Sequence, residues 1–475
     1  MADILTPDIC VIGAGSGGLS VAAAAAAFGV SVVLVEKGRL GGDCLYTGCV
    51  PSKSLIAAGN RARAIAEARA FGISAGPANV DFGKVHAHVQ DVIAAIAPND
   101  SKERFTGLGV RVIEDSARFK DRRTVVVGDG TEIKARRFVI ATGSSPSLPP
   151  IPGLETVPYL TNETIFDLTT RPDHLIVIGA GPIGLELAQA FRRLGAAVTV
   201  LEAAQPLAHE DIECAGVVLD ALAREGVDLR SGVSVVGVGA AGARLEVVVR
   251  GHDGEQTIEG SHLLVATGRK ANVDGLALDR AGIATDRGGI RVNRGLKTAN
   301  RRVYAIGDVA GRGQFTHLAN YHAGLVIRNA LFRLPVKVND DLVPRVTFTD
   351  PELAQVGLTE ADARKRRLAM RVLRWPYQEN DRAQAERETA GHIKVITNAR
   401  GKVLGATIVG AGAGELITTW TLAVSQGLNI RALAGIIVPY PTLAEIGKRA
   451  AITYFTPSLT SSWVRRVIAW LRRFG

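Results

Sequence analysis

Aromatic residues make up only 5% of this 475-residue chain, and cysteine occurs four times. The first scarcity argues against nucleic acid as a partner, because single strands are held on aromatic stacking platforms and no DNA- or RNA-binding motif surrounds the basic residues. The second excludes a disulfide-stapled scaffold. The first seven residues carry Asp3 and no basic stretch, so no secretory leader is read there and the cytoplasm is the expected location. Charge is missing from the 27 residues Ile9 to Val35, a run long enough to mimic a membrane span. Five glycines between Gly13 and Gly29 instead break it into strand, turn, helix and strand. What is present in quantity is glycine, with 53 residues, and 47% hydrophobic against 21% charged residues. That balance belongs to a folded, glycine-turn-rich α/β protein, and the length suggests about three domains.

The chain repeats itself. Val11 to Glu36 and Val177 to Glu202 share 12 of 26 positions at an offset of 166. Each copy runs strand, G-x-G-x-x-G, helix, strand and an acidic residue: Gly13, Gly15, Gly18 and Glu36 in the first, Gly179, Gly181, Gly184 and Glu202 in the second. The first glycine turns the chain, the second lets a pyrophosphate approach the backbone, and the third packs helix on strand. The helix N-terminus then faces the phosphates, and the acid reaches ribose hydroxyls. A second duplicated signature, Ala141-Thr142-Gly143 and Ala266-Thr267-Gly268, follows an apolar strand each time. Two dinucleotides are implied. Glu202 would repel a 2′-phosphate, and no arginine lies between Ala203 and Ala208 to attract one, so NADH is favoured over NADPH.

Gly41 to Lys53 reads GGDCLYTGCVPSK. In a regular helix Cys44 and Cys49 would lie about 7.5 Å apart along the axis, beyond the roughly 7 Å Cα reach of a disulfide. A bridge therefore needs an irregular turn, for which Gly41, Gly42 and Gly48 are available. A helix beginning near Cys49, together with Lys53, would hold that sulfur as a thiolate. Two buried, unreactive cysteines are the alternative reading.

Together with Ala305-Ile306-Gly307-Asp308, these motifs resemble the pyridine nucleotide-disulfide oxidoreductases, a family that includes lipoamide dehydrogenase, glutathione reductase and mercuric reductase, from Asp8 to about Ala451. The resemblance implies two Rossmann-like domains and a C-terminal α+β domain that makes a homodimer. FAD would occupy the first unit, near Glu36, Lys37, Gly42, Thr142, Gly143 and Ser144, with Asp308 at the ribityl chain. Nicotinamide dinucleotide would occupy the second, near Glu202 and Gly268. Lys53 would sit by the flavin and pair with Glu186. Electrons would pass from NADH through FAD to a Cys44–Cys49 disulfide, Cys49 stacking on the flavin and Cys44 meeting the acceptor. The implied layout is FAD domain 1–150, NAD(P) domain 151–275, FAD completion 276–336, dimerisation domain 337–457 and a basic helix 458–475.

The chain departs from lipoamide dehydrogenase and glutathione reductase where those carry His-x-x-x-x-Glu: here Tyr440 precedes Glu445 at that spacing. A phenol with pKa near 10 is a poor general base at neutral pH. Mercuric reductases also place Tyr there, with a further Tyr in a segment similar to that around Tyr159. Yet no Cys follows Cys214, whereas a mercuric reductase delivers its metal through a C-terminal Cys pair. The reading is a mercuric-reductase-like enzyme passing electrons to a metal-ion or small disulfide acceptor, with dihydrolipoamide dehydrogenase as the alternative. Packing without chemistry is the other reading of Tyr440 and Tyr159. From a different class, the chain could be a flavin-binding redox sensor or a membrane-associated scaffold with little turnover.

His86 and His88 alternate along a helical stretch and are read as solvated, so no resident metal is expected. His317 and His322 fall where relatives approach the flavin. The net charge of +10 concentrates at the end: residues 446–475 hold Lys448, Arg449, Arg465, Arg466, Arg472 and Arg473 without an acid. Ser461 to Phe474 reads as a basic amphipathic helix with aromatics, suited either to a membrane interface or to docking on protein.

Overall fold

A computed structural model describes residues 4–128, 130–242, 244–459 and 461–475. Residues 1–3, part of the stretch read for a leader, lie outside it, as does residue 460 within the basic C-terminal segment. Two compact units form, one from residues 4–203 and 230–338, the other from 204–229 and 339–475.

In the first unit, β1 (Ile9–Ile12), α1 (Ser16–Ala27) and β2 (Val32–Glu36) make the first βαβ repeat. Short α2 (Gly42–Tyr46) and long α3 (Cys49–Glu67) follow, then β3 (Val110–Glu114) and β4 (Arg137–Ile140). The second repeat is β5 (His174–Ile178), α4 (Pro182–Arg193) and β6 (Ala197–Glu202). Next come α5 (Ile212–Arg224), β7 (His262–Val265), β8 (Val303–Ala305) and α6 (Thr316–Ala330). Helix α5 groups with the second unit.

The first sheet has the order β8-β4-β1-β2-β3, all parallel. Parallel strands covered on both faces read as continuous apolar runs, and alternate residues serve opposite cores. Ile9 and Val11 face one core with Leu34, Val139 and Tyr304; Cys10 and Ile12 face the other with Val33, Phe138 and Ile140. Cys10 is thus a core residue, its thiol pushed up to about 12 by burial. Helix α1 buries Gly18, Val21, Ala22 and Ala25, a stripe of small side chains that fits closely against α6. In the second repeat β5 lies between β6 and β7, again in parallel register.

The second unit is built on an antiparallel sheet, β9 (Arg345–Thr347), β10 (Glu352–Gly357), β11 (Met370–Pro376), β12 (His392–Asn398) and β13 (Val403–Gly410), in the order β9-β10-β13-β12-β11. Period-two alternation again divides it. Ile393, Val395, Ala406 and Ile408 join the core formed with Ile417 and Trp420 of α7 (Ala413–Ser425) and Ile446 of α8 (Glu445–Thr453). Lys394, with the opposite parity, is almost fully buried among Asp211, Glu213 and Glu360. The basic segment is helical over α9 (Ser462–Leu471), shorter than the pattern Ser461 to Phe474 implies. Among the described residues no helix is long and apolar enough to cross a membrane.

Candidate active site

The internal repeat holds in three dimensions, hydrogen bond for hydrogen bond. Gly13 N donates to Val35 O and Gly179 N to Leu201 O, both at 2.8 Å. The Ala14 amide donates to Glu36 Oε2 at 2.5 Å, and the Ala180 amide to Glu202 Oε2 at 2.8 Å. A Cβ on Gly18 would stand 1.9 Å from Gly13 O, and one on Gly184 2.0 Å from Gly179 O. By contrast, a Cβ on Gly15 or Gly181 would meet nothing within 4 Å. Those two glycines open onto space at the N-termini of α1 and α4, neither of which has a side-chain cap. Uncapped amides, a bare backbone and an anchored carboxylate suit a dinucleotide pyrophosphate and ribose. The residues present therefore fit FAD on the first repeat and a nicotinamide dinucleotide on the second.

Gly42, next to the redox segment, approaches the same loop: its Cβ would lie 2.9 Å from Gly15 Cα. Lys37 is exposed just beyond β2. Thr142 Oγ1 donates to Asn272 O at 2.7 Å, while Asn272 N donates to Gly143 O at 3.0 Å. Ser144 Oγ donates to Asp308 Oδ2 at 2.6 Å. Burial raises the Asp308 carboxyl above the usual range, with Ser144 and Arg269 opposing. Gly268 has φ +134° at the matching turn of the second repeat.

The turn between α2 and α3 resolves the Cys spacing problem. Helix α2 stops at Tyr46 and α3 starts at Cys49, with Gly48 at φ −128°, ψ −114° between them. A Cβ on Gly48 would stand 2.9 Å from Asp43 O and 3.2 Å from Cys44 Cα, so only glycine permits the fold-back. Neither cysteine is in a disulfide here. Cys44 donates a hydrogen bond to the Cys49 sulfur, the largest influence lowering Cys49 to about 6. The Thr316 hydroxyl, 3.6 Å away at the start of α6, and the Lys53 ammonium act in the same sense, against burial and Asp43. The same hydrogen bond and burial push Cys44 far up. One sulfur is thus a thiolate and the other a thiol at neutral pH. Lys53 Nζ, one turn along α3, lies 2.8 Å from Glu186 Oε2 on α4, a carboxylate that is nearly buried.

Residues that sequence reasoning passed over complete the surroundings. Arg269 donates from Nε to Ser144 Oγ at 2.8 Å and from Nη2 to Ser144 O at 2.7 Å, and pairs with Asp43 Oδ2 at 3.2 Å. Asp43 Oδ1 also accepts from Thr47 Oγ1 and Asn162 Nδ2. The available signals were adjacency alone, Arg269 following Gly268 and Asp43 preceding Cys44. His322 is buried and accepts from Gly307 N at 3.2 Å.

The two tyrosines sit differently. Tyr159 is half-buried against the apolar cluster of Ile151, Val157 and Ile178. Tyr440, in the second unit, is 70% exposed and donates to Asp381 Oδ2 at 2.7 Å, an interaction that raises its pKa further. Glu445 opens α8 and is half-buried.

Two dinucleotide cradles beside a thiol–thiolate pair define the class of flavoprotein disulfide oxidoreductases. Residues 7–323 match the model of the pyridine nucleotide-disulphide oxidoreductase family and residues 343–451 its dimerisation domain, and the chain belongs to that FAD-dependent family. The dimerisation domain supports a homodimer. The chain is 37% identical over 450 residues to mercuric reductase from Lysinibacillus sphaericus, covering 94% of this chain and 82% of that protein. It is also 37% identical over 458 residues to dihydrolipoyl dehydrogenase from Thermus scotoductus, covering 93% and 95%. Among solved structures, the Cu(II) complex of the HOCl-induced flavoprotein disulfide reductase RclA from Escherichia coli is similar at 27% identity and a TM-score of 0.83, covering 93% of this chain and 98% of that one.

Proposed function

We propose that the protein uses NADH to reduce a metal-ion or small disulfide acceptor at Cys44 and Cys49, with a metal ion favoured. The observation that carries the reading is the fold-back at Gly48, which sets Cys44 against Cys49 at the start of α3 with Thr316 3.6 Å from the Cys49 sulfur. FAD, when bound, supplies two-electron capacity between the nicotinamide and the cysteines. The chain's own residues divide the remaining work. Cys49 holds its negative charge against the cofactor side, assisted by Thr316 and Lys53, while Glu186 fixes the Lys53 ammonium in place. Cys44 is the sulfur that meets the acceptor. Oxidation of this thiol and thiolate to a disulfide releases two electrons and one proton. Glu202 favours NADH, since a second negative charge beside it is repelled.

The preference for a metal ion rests on Tyr440. A phenol raised above its usual range and tied to Asp381 is poorly matched to the proton exchange near neutral pH that a thiol leaving a disulfide acceptor requires. A soft or borderline metal ion needs thiolates rather than that proton exchange, and the similar RclA structure is a Cu(II) complex. Tyr159, lying on its apolar cluster, contributes packing rather than proton transfer. Dihydrolipoyl dehydrogenase activity is the second reading, favoured by equal identity to such a relative.

The test is anaerobic NADH titration of the purified flavoprotein, followed by Hg(II), Cu(II), lipoamide, glutathione disulfide and quinones as acceptors. A long-wavelength thiolate–flavin band and metal-ion rates at least about tenfold above lipoamide are expected. Brisk lipoamide reduction would overturn the assignment built on Tyr440. A Cys49→Ser variant with unchanged spectrum and acceptor rates would overturn the cysteine mechanism.

A further inference from the structure

The C-terminal helix α9 takes no part in the chemistry above. At about 100° per residue, Trp463, Val464, Val467, Ile468, Trp470 and Leu471 fall within one arc of roughly 160°, and Phe474 lies on the same bearing. Arg465, Arg466, Arg472 and Arg473 take the opposite side. The apolar arc is open to solvent: Trp463 is 66% exposed, Trp470 56% and Phe474 72%. No residue of the helix is buried. Trp470 and Phe474 meet edge to face with ring centroids 4.9 Å apart, a continuous aromatic ledge.

We propose that α9 is an in-plane anchor that seats this reductase on an anionic lipid surface. A short helix with wide apolar and strongly basic faces lies along the headgroup boundary, its aromatic rings at the acyl edge and its arginines extended to phosphates. Charge selects this occupant. Residues 446–475 contain six basic side chains and no acid. An anionic leaflet neutralises these cations, whereas a second copy of the segment brings more arginines and no carboxylate to answer them. A homodimer would carry two such helices, and the second contact would be intramolecular and therefore tighter.

The experiment is co-sedimentation of the full-length flavoprotein with vesicles of phosphatidylcholine alone or with about 30 mol% phosphatidylglycerol, at low and at raised salt. Binding at least about tenfold tighter to the anionic vesicles and weakened by salt is expected. Trp463→Ala with Trp470→Ala should reduce it by about tenfold or more. Arg465→Gln, Arg466→Gln, Arg472→Gln and Arg473→Gln together should remove the lipid preference. Both variants should keep bound flavin and NADH oxidation, since the substituted side chains are on the surface. No binding to anionic vesicles, or equal binding by wild type and both variants, would overturn the proposal. So would higher-order self-association in light scattering that the tryptophan variant abolishes, because the face would then belong to another copy of the chain.

Discussion

Arg269 pairs with Asp43 at 3.2 Å, joining the turn after the second nucleotide repeat to the helix that carries Cys44. Through Ser144 the same guanidinium reaches Asp308, so one partly buried cation stands between two carboxylates of the site. Arg269→Gln should therefore leave both acids poorly compensated. The expected cost is roughly 1–3 kcal/mol in thermal or urea unfolding, with lower flavin retention on purification. Asp43→Asn in that background should recover part of the loss. Strictly additive effects in the double-mutant cycle would mean that the pair is not coupled.

Alkylation of the reduced protein by iodoacetamide should follow the Cys49 thiolate. Because Cys49 lies at about 6, reactivity should be full at neutral pH and fall as pH drops through that value. Cys44→Ala removes the largest lowering influence, so the midpoint should rise. An unchanged midpoint would show that the Cys44 hydrogen bond does not set the acidity of Cys49.

The buried Lys394 in the second unit donates to Asp211 Oδ2 at 2.8 Å and lies 3.0 Å from Glu213 Oε2 and 2.8 Å from Glu360 Oε2. Glu213 is held at about 2, chiefly by Arg374 and then Lys394, and Glu360 at about 2, chiefly by Lys394. Folded values below the unfolded carboxylate range mean that this stability is present above about pH 4.3 and lost as pH falls towards 2. Lys394→Met should destabilise the unit by about 3–5 kcal/mol at pH 7 and flatten the acid-induced loss. All four tryptophans, Trp375, Trp420, Trp463 and Trp470, lie in the second unit, so intrinsic fluorescence in urea at pH 7 and at about pH 2.5 reads it selectively.

Discrimination between nicotinamides should rest on Glu202, whose Oε2 the Ala180 amide holds in position. Steady-state kinetics should give a higher kcat/KM with NADH than with NADPH. Glu202→Gln should narrow that ratio by about tenfold, since the repulsion of a 2′-phosphate is removed. An unaltered ratio would place selectivity elsewhere.

The two nucleotide repeats were legible in the sequence because steric demands leave marks: Gly13 and Gly18 sit where any side chain would strike backbone, and no other residue substitutes for them. The Cys44–Cys49 turn was legible for the same reason, through Gly48. The charges that tune the site were not. Arg269 meets Asp43 across 226 positions of chain, and Thr316 reaches Cys49 across 267. Such pairs carry no local periodicity, and a single arginine or threonine reads like any other until the fold brings it in.

The hydrogen bond between Cys49 and Thr316 has a practical consequence for anyone transplanting the motif. Residues 41–53 contain both sulfurs and Lys53, but neither the distant hydroxyl nor the Glu186 that steadies the lysine. Grafted into an unrelated scaffold, those thirteen residues would bring the two thiols without part of their electrostatic setting. The smallest portable version of this redox centre is a tertiary arrangement drawn from three separate stretches of chain.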